Sequence, residues 1–376
     1  MGIDSLKSIF NRAKPFLGVI FLQFVYAGNF IVVKSALNKD MSQHVLVVYR
    51  HAIATLFISP FALVLERKIR PKMTFSTFFK ILLLGLLEPT IDQNLYNTGM
   101  KYTTATFATA MSNVTPAIAF MMAWTFRLEK VNLRKLHSLL KILGTIVTIG
   151  GAMLMTLLTG PVLHLPWTKV HNVQQAANSS VVTKQDPVKG AILMGTGCFC
   201  WSGFIILQAI TLKSYPAPLS LTALICCMGT IEGIIFALGM EKGNSEPWSI
   251  HLDIKLLAYI YCGVATSALG YYIQGVILKV KGPVFVTAFS PLSMVIVAIL
   301  GSFVLSEITY LGRITGAIVI VAGLYFVLWG KSKDQLSPDK AAAVATENQQ
   351  KDINNEWKLD FAMDVTSKVE PEDENV

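Results

Sequence analysis

Four ionisable side chains, Arg50, Glu88, Asp92 and Glu232, lie inside long apolar stretches of this 376-residue chain. Glu88, Asp92 and Tyr96 recur at i, i+4 and i+8, so on a helix they form one stripe with Gly85 and Gly99. Asp92 opposite the Arg50 guanidinium offers a charge pair that can open to receive the ammonium and carboxylate of a zwitterion. The same pair can instead be a fixed ion bridge between two helices. Glu88 can serve as a proton carrier or as a protonated, hydrogen-bonded structural group. Glu232, set between Gly229 and Gly233, reads as a packing residue.

Neutral polar side chains add to the pattern. Tyr26 and Asn29, Asn113, Trp201 and Gln208, Gln274, and Ser290 fall in separate apolar segments, with Gln23 and Ser112 beside them. Interhelical hydrogen bonding explains any one of them, whereas their concentration in a few segments marks a shared interior. Catalysis and metal binding have no comparable footing. The five cysteines, Cys198, Cys200, Cys226, Cys227 and Cys262, form no C-x-x-C pair, and the six histidines form no H-E-x-x-H. Neither an enzyme nor a cofactor or metal site is expected.

The elements that must hold these residues follow from composition. With 53% hydrophobic and only 15% charged residues, and a mean hydropathy of +0.54, the chain has too little charge to coat a soluble surface of its size. A span needs about 20 apolar residues to cross roughly 30 Å of hydrocarbon. Ten stretches qualify: 16–36, 45–65, 79–99, 105–126, 139–158, 190–212, 219–240, 256–278, 284–305 and 311–329. The fold class is an all-α polytopic membrane protein. The first run is too long for a signal peptide, lacks a cleavage site and reads as a retained span.

Charge sets the orientation. The connections of the first half carry eleven Lys and Arg on one side, from Lys7, Arg12 and Lys14 through Arg67, Lys68, Arg70 and Lys72 to Arg127, Lys130, Arg134 and Lys135. Lys39 and Lys101 lie on the other. Both termini are therefore expected in the cytoplasm, and the net charge of +9 sets topology rather than binding nucleic acid. Asn178-Ser179-Ser180, a glycosylation sequon in the loop 159–189, then falls outside the cytoplasm. On this topology, rises counted from the outer end place Asp92 about 11 Å deep and Arg50 about 8 Å deep, within roughly one helical turn, so the two could meet.

The chain also repeats. At an offset of 178, Phe107, Thr109, Ala110, Ser112 and Glu129 match Phe285, Thr287, Ala288, Ser290 and Glu307, and Lys101 falls on Lys279. At an offset of 172, Gly144 and Gly151 match Gly316 and Gly323. Five spans per copy is an odd number, so the copies cross in opposite directions, the inverted repeat on which alternating access is built. Residues 1–15 form a cytoplasmic start, 16–158 and 190–330 the two copies, and 331–376 a polar tail with eleven acidic and six basic residues that is expected to be disordered. Pro60, Pro89, Pro116 and Pro291 lie within predicted spans as helix breakers, and the fifth and tenth spans, poor in polar side chains, read as peripheral.

Tyr49-Arg50-His51, EPTIDQNLYNTGMKYT from Glu88, LKSYP from Leu212 and KGPVFVTAFSPLS from Lys281 resemble the plant nodulin-21-like transporters, also called usually-multiple-acids-move-in-and-out transporters. These form an EamA-like branch of the drug/metabolite transporter superfamily. The resemblance covers residues 16–330. It implies two five-helix EamA repeats around a cavity lined by the first four spans of each half, and facilitated, bidirectional movement of amino acids, with auxin or another small organic acid as the alternative. Tyr26, Asn29, Glu88, Asp92, Tyr96, Asn113, Trp201 and Gln274 correspond to its polar positions. The expected partners are an amino-acid substrate and the lipid bilayer, with a homo-oligomer left open. The plasma membrane is the expected location and the vacuolar membrane the alternative.

Overall fold

The computed structural model describes residues 3–37, 39, 41–102, 114–128, 136–157, 162–163, 187–241, 248–249, 253–304 and 309–335. Asn113, Asn178 and the tail beyond Gln335 lie outside them. Among the described residues five helices are long and apolar enough to cross a membrane: Ala13–Val33, Gln43–Leu65, Val188–Ser214, Pro218–Glu241 and Ile254–Lys281. Leu139–Leu154, Pro283–Val297 and Ile314–Val327 are shorter apolar helices. The protein is an all-α polytopic membrane protein. One addition to the expected helices is a two-residue antiparallel pairing, Val162 with Tyr310 and Leu163 with Thr309, between the segments after the fifth span and before the tenth.

Helix starts are set by local chemistry. Ser42 caps the second span by accepting from Val45 N, Thr74 caps the third by accepting from Thr77 N at 3.2 Å, and Asp253 caps the eighth by accepting from Lys255 N at 2.9 Å. The first helix, Ile3–Leu37, begins well before the predicted span at residue 16 and carries Pro15 inside it. In the ninth span Pro283–Ala288 ends at Phe289 and a new helix, Ser290–Val304, starts with Pro291 at its second position.

The third and eighth spans share an unusual feature. Each is interrupted by a π-helical segment, Leu86–Asp92 around Pro89 in one and Cys262–Gly270 in the other. At the offset of 178, the first segment falls on residues 264–270, within the second. The repeat thus extends to a backbone irregularity, of a kind that clusters at functional sites.

Packing pairs the copies. The fifth and tenth spans lie backbone to backbone: a Cβ on Gly144 would stand 2.6 Å from Val327 N, and one on Gly151 2.7 Å from Ile320 N. Glycines at these positions permit the close approach that membrane helices use in place of hydrophobic burial. The second and seventh spans are joined at both ends. Ser42 Oγ donates to Glu241 Oε1 at 2.5 Å, and at the far end Leu219 N and Ser220 N donate to Glu66 Oε1 and Oε2 at 3.0 and 2.7 Å. A carboxylate on the first amides of a helix satisfies donors that have no intrahelical acceptor and complements the helix dipole.

Candidate functional site

The π-helical segments bring the polar residues together. In the eighth span, Thr266, Ser267, Tyr271 and Gln274 face four neighbouring spans. Thr266 Oγ1 donates to Asn29 Oδ1 of the first span at 3.2 Å, and Ser267 Oγ accepts from Arg50 Nε of the second at 2.6 Å. Tyr271 Oη donates to Glu88 Oε2 of the third. Gln274 Nε2 donates to Gln208 Oε1 of the sixth at 2.8 Å, while its Oε1 accepts from Tyr26 Oη at 3.1 Å. Gln208 Nε2 in turn donates to the Tyr271 carbonyl at 3.4 Å. The chain from Tyr26 through Gln274 and Gln208 to Tyr271 fixes which end of each amide is donor and which acceptor.

Charge sits at the end of this chain. Arg50 and Glu88 are both buried, with Arg50 Nη2 and Glu88 Oε1 3.8 Å apart. Gln93 Nε2 donates to the same Oε1 at 2.7 Å. His51 is wholly buried, and its Nδ1 donates to the Val47 carbonyl at 2.8 Å. A carbonyl can only accept, so Nδ1 carries a proton and Nε2 is the nitrogen turned to the network. That Nε2 stands 3.5 Å from Tyr271 Oη and 3.9 Å from Glu88 Oε2.

Aromatic rings flank the polar chain. Tyr26 meets Trp201 edge to face at 6.4 Å, Trp201 stacks on Phe204 at 5.8 Å, and Phe204 tilts against Tyr271 at 5.3 Å. Such rings give an apolar wall for a ligand held by the polar groups beside it.

The carboxylate within ion-pair distance of Arg50 among the described residues is Glu88 rather than Asp92. The reason is local. Bonding of i to i+5 winds the backbone through a smaller angle per residue than an α-helix does, so the side chain four residues after Glu88 lags instead of leading. Asp92 accordingly turns to the sixth span, where its Oδ1 lies 3.0 Å from where a Cβ on Gly197 would be. Tyr96 packs on the same glycine, its Cβ at 3.7 Å from that point. The single stripe thus divides into Glu88 on one side and Asp92 with Tyr96 on the other.

The structure brings Tyr26, Arg50, Glu88, Gln208 and Gln274 into one network, with Asn29 and Trp201 at its edge. Ser290 starts a helix, and its carbonyl accepts from Ser293 Oγ at 2.7 Å, a local bond apart from that network. Five residues in or at the edge of the network, His51, Gln93, Thr266, Ser267 and Tyr271, were not among the candidate site residues read from the sequence. A signal for one pair was present: at the offset of 178, Gln93 falls on Tyr271, as Tyr96 falls on Gln274 and Glu88 on Thr266. Carrying the polar stripe across the repeat would have found Thr266 beside Gln274, but Tyr271 only if Gln93 had first been added to it. His51 adjoins Arg50 and has no such pointer.

Known proteins bear on this arrangement. The model of the EamA-like transporter family matches the chain twice, over residues 14–157 and 188–329. A WAT1-related protein of Arabidopsis thaliana is 67% identical over 324 residues, 86% of this chain and 86% of its own length. A second is 57% identical over 328 residues, 87% of this chain and 86% of its own. A third is 51% identical over 339 residues, 89% and 90% of the two chains. A protein of known crystal structure, 11% identical, superposes with a TM-score of 0.64 over 85% of this chain and 98% of that one, a likeness of fold. Two family matches, one on each five-span copy, agree with the paired π-helical segments, and the chain belongs to the EamA-like transporter family.

Proposed function

We propose that the protein moves amino acids across a membrane as a bidirectional facilitator, its two copies, 16–158 and 190–330, rocking about a site bounded by the first, second, third, sixth and eighth spans. The observation that carries this reading is the buried Arg50–Glu88 pair, 3.8 Å apart and longer than a hydrogen bond, beside the Tyr26–Gln274–Gln208 chain. A zwitterion offers a carboxylate to Arg50 and an ammonium to Glu88 and so replaces the pair without leaving a buried charge uncompensated. Asp92 and Tyr96 extend the site toward the sixth span, and Asn113 is kept as a substrate contact from the fourth. Ser290 is kept as a contact at the helix break of the ninth span.

The resemblance of the segments from Glu88 and Lys281 to nodulin-21-like transporters supports the amino-acid substrate. The excess of Lys and Arg on one side supports cytoplasmic termini, with the plasma membrane as location. Uptake and efflux of radiolabelled amino acids and auxin in oocytes test the reading. Arg50→Ala and Asp92→Asn, each matched to the wild type for surface protein, should lose amino-acid flux. Undiminished flux in both variants overturns the site. Auxin flux that depends on Arg50 but survives Asp92→Asn would replace the amino acid with a small organic acid.

A further inference from the structure

Away from this network, a cavity of about 390 Å³ opens beside Leu63, Arg67 and Arg70, where the second span ends and the chain turns toward the third. Basic residues at a span end ordinarily need no ligand, since they set topology. Here the local acid is spent elsewhere. Glu66 adjoins Arg67 and stands four residues before Arg70, the spacing of a helical ion pair. Both its oxygens instead accept the backbone amides of Leu219 and Ser220. Neither arginine has a salt-bridging carboxylate among the described residues.

Arg70 is also held in place. Its Nε donates to Ser220 Oγ and its Nη2 to the Ala62 carbonyl, each at 3.2 Å, which leaves Nη1 for the cavity. The wall above is lipid-facing: Phe61, Leu63, Val64 and Leu65 are exposed apolar side chains on the last turns of the span. A fixed guanidinium, a second one three residues away and an apolar helix face at the hydrocarbon boundary together fit a phosphate that carries acyl chains.

We propose that this cavity binds the phosphate of an anionic phospholipid headgroup, with Arg67 and Arg70 as its donors. Binding there would brace Arg70 against Ser220 and so the end of the seventh span that Glu66 caps.

The test uses the purified full-length chain in detergent, with native mass spectrometry reading lipid retention for phosphatidic acid, phosphatidylcholine and inorganic phosphate. Phosphatidic acid should be retained in preference to phosphatidylcholine. Arg67→Gln, which leaves the Arg70 and Glu66 contacts in place, should weaken that retention about fivefold, the effect of one arginine near a charged bilayer surface. Lys68→Gln, outside the cavity lining, should leave it unchanged. Equal loss in the two variants would show diffuse attraction and overturn the site. Equal retention of the two lipids would do the same, and competition by inorganic phosphate at the lipid's own concentration would overturn the lipid as the source of the phosphate.

Discussion

Arg50 Nη2 and Glu88 Oε1 stand 3.8 Å apart in a buried setting, yet each has its short hydrogen bonds elsewhere, Arg50 with Ser267 and Glu88 with Gln93 and Tyr271. The pair is therefore electrostatically matched without being closed. Removing the carboxylate by Glu88→Ala leaves the guanidinium uncompensated, a change that costs about 3–5 kcal/mol in buried pairs. A large loss of thermal stability in detergent is expected, with less loss for Glu88→Gln, which keeps an acceptor for Tyr271. Equal melting temperatures for Glu88→Ala and wild type would show that the pair does not compensate charge.

Tyr271 links the two interrupted spans through its bond to Glu88. Tyr271→Phe keeps the ring contact with Phe204 and deletes one hydrogen bond to a charged group, which contributes about 1.5–3 kcal/mol. On the proposed function, amino-acid flux per surface molecule should fall about tenfold or more, the consequence of shifting a working geometry by that amount. The measurement is uptake normalised to surface-labelled protein.

Gln208 and Gln274 share a 2.8 Å bond between the sixth and eighth spans, one in each buried side chain. A double-mutant cycle with leucine at both positions should give a coupling of about 1 kcal/mol, with the double variant closer to wild type than the sum of the singles. Strict additivity in unfolding experiments would mean that the two amides act independently.

Gly144 lies against the Val327 amide and the Gly323 carbonyl, on a helix pair that supplies no side chain to the polar network described above. Gly144→Leu forces the fifth and tenth spans apart and should destabilise by about 1–3 kcal/mol or more, as overpacking does. The fraction that folds should keep the wild-type KM. A changed KM in concentration-dependent uptake would tie this helix pair to the site.

Much of the architecture was legible along the chain. Apolar run length determines the spans, because a hydrogen-bonded helix must cross a fixed hydrocarbon thickness, and the offsets of 178 and 172 reveal the two copies. Glu88, Arg50, Gln208 and Gln274 stood out because polar groups are costly in hydrocarbon and must face protein. The helix face that each presents was not legible. That depends on the i to i+5 winding of Leu86–Asp92 and Cys262–Gly270, which turned Glu88 toward Arg50 and Asp92 toward Gly197.

The sequence by itself determined a membrane protein of two inverted copies with charge in its interior, since hydropathy, periodicity and repeats are properties of the one-dimensional order. Only the tertiary structure decided the partners. Tyr26 with Gln274, Arg50 with Ser267 and Glu88 with Tyr271 join residues 248, 217 and 183 positions apart. No local preference encodes such contacts; they arise when helices of opposite copies pack and each buried donor takes the acceptor that the packing brings within reach.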